Sequence, residues 1–336
     1  MSEIRSAAGL LALQSLPRIG PKMALKAALG AGWPDRQADV LSDERLGAAI
    51  ERARRQVADH ESDGVAVLTF FDERYPDRLR EIPDPPAVLF VRGDVSVLAE
   101  STLIAVVGTR EPTRFGRSVT VELTQALGKA GWGVVSGLAK GIDTLAHQTA
   151  LEVGTSTVAV MGGGLDRIYP AENAGLAEQI VEAGGALISE QPYGAEPRPA
   201  NLVARNRLQS GLATAALVTQ CGIKSGTMHT VRFATSQGRP VFCPVPPERN
   251  LASEGLWALL ERPARDLCDV LPAWRNAHSL CERLGDDPLG HPIKSGEVDG
   301  FLASLDVAGR QQEIQPDQMK LATPPADHAG GNSLPS

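Results

Sequence analysis

The chain has 336 residues, with 33 Lys and Arg against 40 Asp and Glu, for a net charge of −7. At roughly 150 residues per domain, that length suggests about two domains plus tails and a core that needs no staples. The acidic balance excludes a globally basic nucleic-acid coat, though not a local basic patch, and no run of about 18 apolar residues offers a membrane span.

No apolar stretch leading to a cleavage site follows Met1-Ser2-Glu3-Ile4-Arg5, so no secretory signal is expected and the chain is placed in the cytoplasm. Cys221, Cys243, Cys268 and Cys281 are widely spaced without a C-x-x-C pair, and reduced thiols are expected.

Residues 1–65 are rich in Ala, Leu and Arg and predict a small helical domain. Within it, Leu16-Pro17-Arg18-Ile19-Gly20-Pro21-Lys22-Met23-Ala24 reads as a helix-hairpin-helix turn or as a plain helix connection. Residues 66–272 predict the main α/β core, entered through a Pro-punctuated connector over 66–100. Residues 273–336 turn polar and predict a poorly ordered or degenerate extension, with a disordered tail from Thr323 onward.

Inside the core, short apolar runs at 103–107, 133–135, 157–161, 186–188, 215–218 and 240–243 have the Val, Ile and Ala content of strands buried on both faces. Helical patterns fall between them at 116–130, 142–153, 174–183 and 227–236. Strand, helix, strand in alternation predicts a parallel sheet of extended Rossmann-like form. Right-handed crossovers then bring the C-terminal strand ends to one edge, where ligands bind.

The loops at that edge carry the chemistry. Gly108-Thr109-Arg110 follows the first run. Ser136-Gly137-Leu138-Ala139-Lys140-Gly141-Ile142-Asp143 follows the second, and Gly162-Gly163-Gly164-Leu165-Asp166 the third. Arg205-Asn206-Arg207 precedes the fifth run, and Lys224-Ser225-Gly226-Thr227 follows it. Glycine lets the backbone approach a bound group, a following helix adds its positive N-terminus, and the cations supply full charge. The expected phosphate-binding set is Gly108, Thr109, Arg110, Ser136, Gly137, Lys140, Gly162, Gly163, Arg205, Asn206, Arg207, Lys224, Ser225 and Gly226. Residues 101–249 hold 13 basic and 11 acidic side chains, a balance of +2 that leaves −9 for the remainder.

Other chemistries lack their motifs. Lys224-Ser225 has no G-x-x-x-x-G frame before it, and Glu111 stands where a G-x-G-x-x-G fingerprint would continue. His147 reads as a cap or core-edge residue, and His229 has no partner at metal-ligand spacing. No metal, cofactor or catalytic residue is assigned.

In their order and spacing these motifs resemble the DprA/Smf family of DNA-processing proteins. The resemblance runs from about residue 70 to 260, from Tyr75-Pro76 and Asp84-Pro85-Pro86 through Ala146-His147 and Tyr169-Pro170 to Lys224-Ser225-Gly226-Thr227. It implies a Rossmann-like domain that binds single-stranded DNA without sequence preference and without turnover. It further implies protection of incoming DNA in natural transformation, loading of a RecA-type recombinase, and a homodimer. The family's phosphate pocket maps onto Arg110, Arg205 and Arg207, with Lys140 and Lys224 as neighbours. Phe115 and Tyr169 are the loop aromatics available for base stacking. Two alternatives use the same pocket. One is a nucleoside-monophosphate hydrolase of the LOG type, whose catalytic Glu has no counterpart in Ile223–Thr230. The other is a nucleotide sensor in a defence system.

Overall fold

The computed structural model describes residues 2–30, 44–100 and 102–314; the tail from Thr323 lies outside them. Nine strands form one sheet: β1 (Val65–Thr69), β2 (Val88–Gly93), β3 (Leu103–Gly108), β4 (Gly133–Ser136), β5 (Thr157–Val160), β6 (Ala186–Ser189), β7 (Ala215–Gln220), β8 (Val241–Pro244) and β9 (Gly290–Ile293). Their order is β1-β2-β6-β5-β4-β3-β7-β8-β9. Every pairing from β6 to β9 is parallel, while β2 runs antiparallel to both β1 and β6.

The parallel strands β3 to β8 match the apolar runs read from the sequence, within a residue or two at their ends. So do the crossover helices Arg114–Lys129, Ile142–Glu152, Ala174–Glu182 and Thr227–Ser236. The alternation of a strand's side chains divides the core between the two faces. On β3, Ala105 and Val107 pack with Met228, Leu259 and Trp274. Ile104 and Val106 face the other way, onto Leu123, Leu127 and Ile142. Each such fully buried Leu or Ile contributes about 1.5–3 kcal/mol relative to exposure.

Three parts depart from the sequence reading. Residues 66–100 are not a bare connector: all of β2 and all but the first residue of β1 lie within them and add an antiparallel edge. Pro83, Pro85 and Pro86 break the segment between the strands, and that punctuation hid the apolar runs on either side. The extension after 273 adds the edge strand β9 and the helix Val298–Ile314, whose Phe301 and Leu305 join the core. Gly290-His291-Pro292-Ile293 carries almost no strand pattern, and an edge strand tolerates its proline because one side has no partner. Third, Cys268 and Cys281 are not reduced thiols but a disulfide across 13 positions. The short helices Leu267–Val270 and His278–Cys281 pack into one cluster around Trp274 and bring the two sulfurs together. Cys221 and Cys243 are free and buried.

The N-terminal helices Ala7–Gln14, Pro21–Ala28 and Glu44–Ser62 share a core with the sheet. Leu10, Leu13 and Leu25 belong to the same cluster as Phe90, Met161 and Leu187. His60, from the last of these helices, is stacked between Phe90 and Tyr193 at centroid distances of 4.4 and 3.7 Å.

Closing a loop of this length restricts the unfolded chain by about 2–4 kcal/mol. Cys281→Ser should lower the unfolding free energy by about that amount in urea titrations under non-reducing conditions. The difference from the parent should vanish when both are titrated in excess dithiothreitol.

Candidate nucleic-acid interface

The chain enters the parallel part of the sheet at β3, builds outward through β4, β5 and β6, and returns to the other side of β3 with β7, β8 and β9. The strand order therefore reverses between β3 and β7. Connections leaving the two strands run in opposite directions there, and a crevice opens at the C-terminal ends. It holds a cavity of about 370 Å3, walled by Gly108 at the end of β3 and Arg110 after it, Ala139 and Asp143 after β4, Arg205 and Asn206, and Ser225, Gly226 and Thr227 after β7. A second space of about 60 Å3 adjoins it, lined by Gly137, Lys140, Gly162 and Tyr169. Arg110, Ala139, Leu202 and Arg205 border both.

Close packing explains the first glycine. A Cβ on Gly108 would lie 2.5 Å from Ile142 Cγ1 and 2.8 Å from the Gln220 carbonyl oxygen. Thr109 is pinned by its own backbone: its N–H donates to the Gln220 carbonyl at 2.8 Å, and its carbonyl accepts from Ile142 N–H at 3.1 Å. Thr109 therefore fixes the loop and does not line either space. Arg110, beyond that clamp, is exposed. Gln220 ties the next turn as well, its amide oxygen accepting from Thr113 N–H at 2.9 Å.

The loop after β4 is organised around Asp143. Its Oδ2 accepts from Gly137 N–H at 3.1 Å and Ala139 N–H at 3.3 Å, so those two donors are committed within the protein. Below them lies Arg205, 6% exposed. Its Nη1 donates to the Val160 carbonyl at 2.6 Å and its Nε to the Leu202 carbonyl at 3.3 Å. A Cβ on Gly137 would fall 1.9 Å from Arg205 Nη1, so only glycine leaves room for the guanidinium. Burial pushes the Arg205 pKa down to about 10, with Asp143 opposing and Arg110 adding to the shift. Burial likewise raises Asp143, against the pull of Arg205 and the two backbone donors. Arg205 remains charged at neutral pH, as a desolvated cation whose field is little screened.

Other expected residues lie elsewhere. Ser136 is buried and donates its hydroxyl to the Val106 carbonyl at 2.7 Å, latching β4 to β3. Gly163 is buried beneath residues 195–197, and its carbonyl accepts from Ser189 Oγ. Lys224 is exposed beside the crevice and lines neither space. Lys140 borders the smaller space and is paired with Glu172 on the surface. Arg207 is the clearest departure. Its guanidinium makes a two-pronged ion pair with Glu190 at 2.7 and 2.6 Å, and its Nε donates to the Asp84 carbonyl at 2.8 Å. With side chains 7% and 8% exposed, Arg207 and Glu190 form an internal pair and not part of the pocket. Two residues apart on a helical turn, Arg205 and Arg207 point in different directions. Of the loop aromatics, Phe115 packs against the core, while Tyr169 is 44% exposed at the smaller space.

A family model described as DNA recombination-mediator protein A matches residues 66–275, more than half of the chain. The chain belongs to that family. It is 39% identical over 188 residues to DNA processing protein DprA of Bacillus subtilis, covering 56% of this chain and 63% of that one. It is 43% identical over 187 residues to protein Smf of Synechocystis, covering 55% and 47%. The alignments thus take in about half to five-eighths of these relatives' lengths. Among solved structures, DprA of Streptococcus pneumoniae shares the fold at a TM-score of 0.59 with 30% identity, over 76% of this chain and 88% of that one. DNA processing protein A of Helicobacter pylori, described for its single-stranded DNA binding mode, gives 0.57 with 27% identity, over 72% and 96%.

Two residues that the sequence reading did not select shape the crevice. Gln209 and Thr230 both line the larger space, and both are buried. Gln209 follows Arg205 by four positions, a helical spacing that was the available signal. His147 is fully buried, with Nδ1 2.7 Å from Thr157 Oγ1, and burial pushes its pKa down to about 3.

Two consequences can be measured. Glu190→Gln leaves the buried Arg207 charge with only the half-exposed Asp84 carboxylate, 3.5 Å from its Nε, and should cost up to about 3 kcal/mol in chemical unfolding. His147 stays neutral in the folded chain down to about pH 3, whereas the unfolded side chain takes a proton below about 6.5. Its contribution to stability is therefore complete above pH 6.5 and is lost as pH falls toward 3. His147→Gln should flatten the pH dependence of the thermal midpoint across that window.

Proposed function

We propose that this chain binds single-stranded DNA without sequence preference and acts as a recombination mediator, holding the strand's phosphates at the β3/β7 crevice. The observation that carries the reading is the pairing of an exposed arginine with a buried one on the wall shared by the two spaces. The loop after β4 supports a charge-led mechanism, because its Gly137 and Ala139 N–H groups already serve Asp143. Phosphate recognition then falls to Arg110, Arg205 and the Asn206 and Ser225–Thr227 walls. Such contacts carry no base information, which is what sequence-independent binding requires. Tyr169 offers one ring for base stacking at the smaller space, worth roughly 1–3 kcal/mol per base.

The finer role follows the resemblance. The bound strand is protected and delivered to a RecA-type recombinase, and two copies of the chain act as a homodimer. Sedimentation of the full chain tests the homodimer. Strand-exchange assays with a recombinase and a single-strand-binding protein test the delivery.

Fluorescence polarisation with labelled oligonucleotides tests the binding itself. The full chain should bind unrelated single strands with similar affinity and a log–log salt slope of about −3, as for about four phosphate contacts. Arg110→Ala should weaken all of them by similar factors and make the slope shallower by about 0.7. Loss confined to one base composition would contradict the reading. Competition by a mononucleotide alone would favour a small-ligand site instead.

A further inference from the structure

We infer that Gln209 is a positioning residue for the anion site: it fixes the guanidinium of Arg205 so that the Nη2 edge is left for a phosphate oxygen. The inference rests on the reading of the crevice as a phosphate site. Gln209 is 2% exposed and lines the larger space. Its amide is oriented by its neighbours. With the oxygen turned toward the two donors beside it, it accepts from Arg205 Nη1 at 2.7 Å and from Gly137 N–H at 3.0 Å. The opposite orientation would set amide hydrogens against both donors. The other end of the amide then lies 3.3 Å from Thr230 Oγ1. One side chain therefore joins the β4 loop, Arg205 and the helix Thr227–Ser236, which are three walls of the same cavity.

The consequence for Arg205 follows from its geometry. A guanidinium is planar, and fixing two of its nitrogens fixes the third. Nε is held by the Leu202 carbonyl, and Nη1 by the Val160 carbonyl and the Gln209 oxygen. Among the described residues, Nη2 carries no hydrogen bond. All the acceptors that hydrogen-bond the cation are neutral, so its unused Nη2 edge is the one available to a charged ligand. Asp143 plays a different part. Its Oδ2 serves the Gly137 and Ala139 N–H groups, so it moderates the charge of Arg205 without setting its direction.

The test is a polarisation titration of labelled oligothymidylate over a salt series with the full chain, Gln209→Leu and Gln209→Asn. Leucine keeps the volume and removes the acceptor, and asparagine keeps the amide but withdraws it by one methylene. Both should bind about tenfold to a hundredfold more weakly, the size of one hydrogen bond to a charged group. Both should also have salt slopes shallower by about 0.7, one phosphate contact on a single strand. Thermal midpoints are recorded on the same samples. An unchanged slope in the variants overturns the assignment even if affinity falls, because a purely structural role removes no phosphate contact. If the unsubstituted chain does not bind oligothymidylate, the phosphate reading fails and the assignment fails with it. If that chain binds and Arg110→Ala weakens it while the Gln209 variants keep the parent slope, only the assignment fails.

Discussion

A buried arginine beneath a glycine organises the crevice at the C-terminal edge of the parallel strands. Arg205 occupies the space that a Cβ on Gly137 would need, and it is satisfied by carbonyls from β5 and from the turn before it. An isolated cation in so apolar a setting would cost several kcal/mol. Here the cost is offset by several hydrogen bonds and by Asp143 nearby. The arrangement demands that the β4 loop pass directly over the guanidinium. That demand explains both the glycine and the carboxylate in the Ser136–Asp143 segment.

The placement of that arginine depends on topology. Helices and loops leave β3 and β7 in opposite directions, so the space between them is not filled by backbone. A parallel sheet without that reversal would have covered the same spot with a crossover helix. The three loops that meet there come from strands separated by up to about a hundred residues in sequence. Their convergence is maintained by a few hydrogen bonds, among them the Gln220 carbonyl with Thr109 and the Gln220 amide with Thr113. Among the described residues, the antiparallel edge and the N-terminal helices contribute none to the lining of the crevice.

Charge distribution in the crevice separates two roles that look alike in the sequence. Arg205 and Arg207 are both cations of one short turn. One meets neutral acceptors and retains an open edge. The other meets Glu190 in a buried pair and is neutralised within the protein. Backbone donors divide similarly: the glycine-rich β4 loop looks like an anion cradle, yet its Asp143 turns two of the N–H groups inward. Under the proposed function, the grip on a polyanion rests on side-chain charge at Arg110 and Arg205 more than on a ring of amides.

The amino-acid sequence by itself determined the parallel core, because short Val- and Ile-rich runs alternating with helical patterns have few other ways to bury both faces of a strand. It also marked the glycine-bearing loops after β3, β4, β5 and β7, since each follows the C-terminal end of a strand. It did not reveal β1 and β2 behind their prolines, nor β9, whose pairing comes from its neighbour rather than from its own residues. Nor could it show that Cys268 meets Cys281. The partners of Arg207, Ser136, Gly137 and Gln209 were decided only in three dimensions. Hydrogen bonds and ion pairs depend on ångström-scale distances between segments far apart in the chain, and no local pattern encodes those distances.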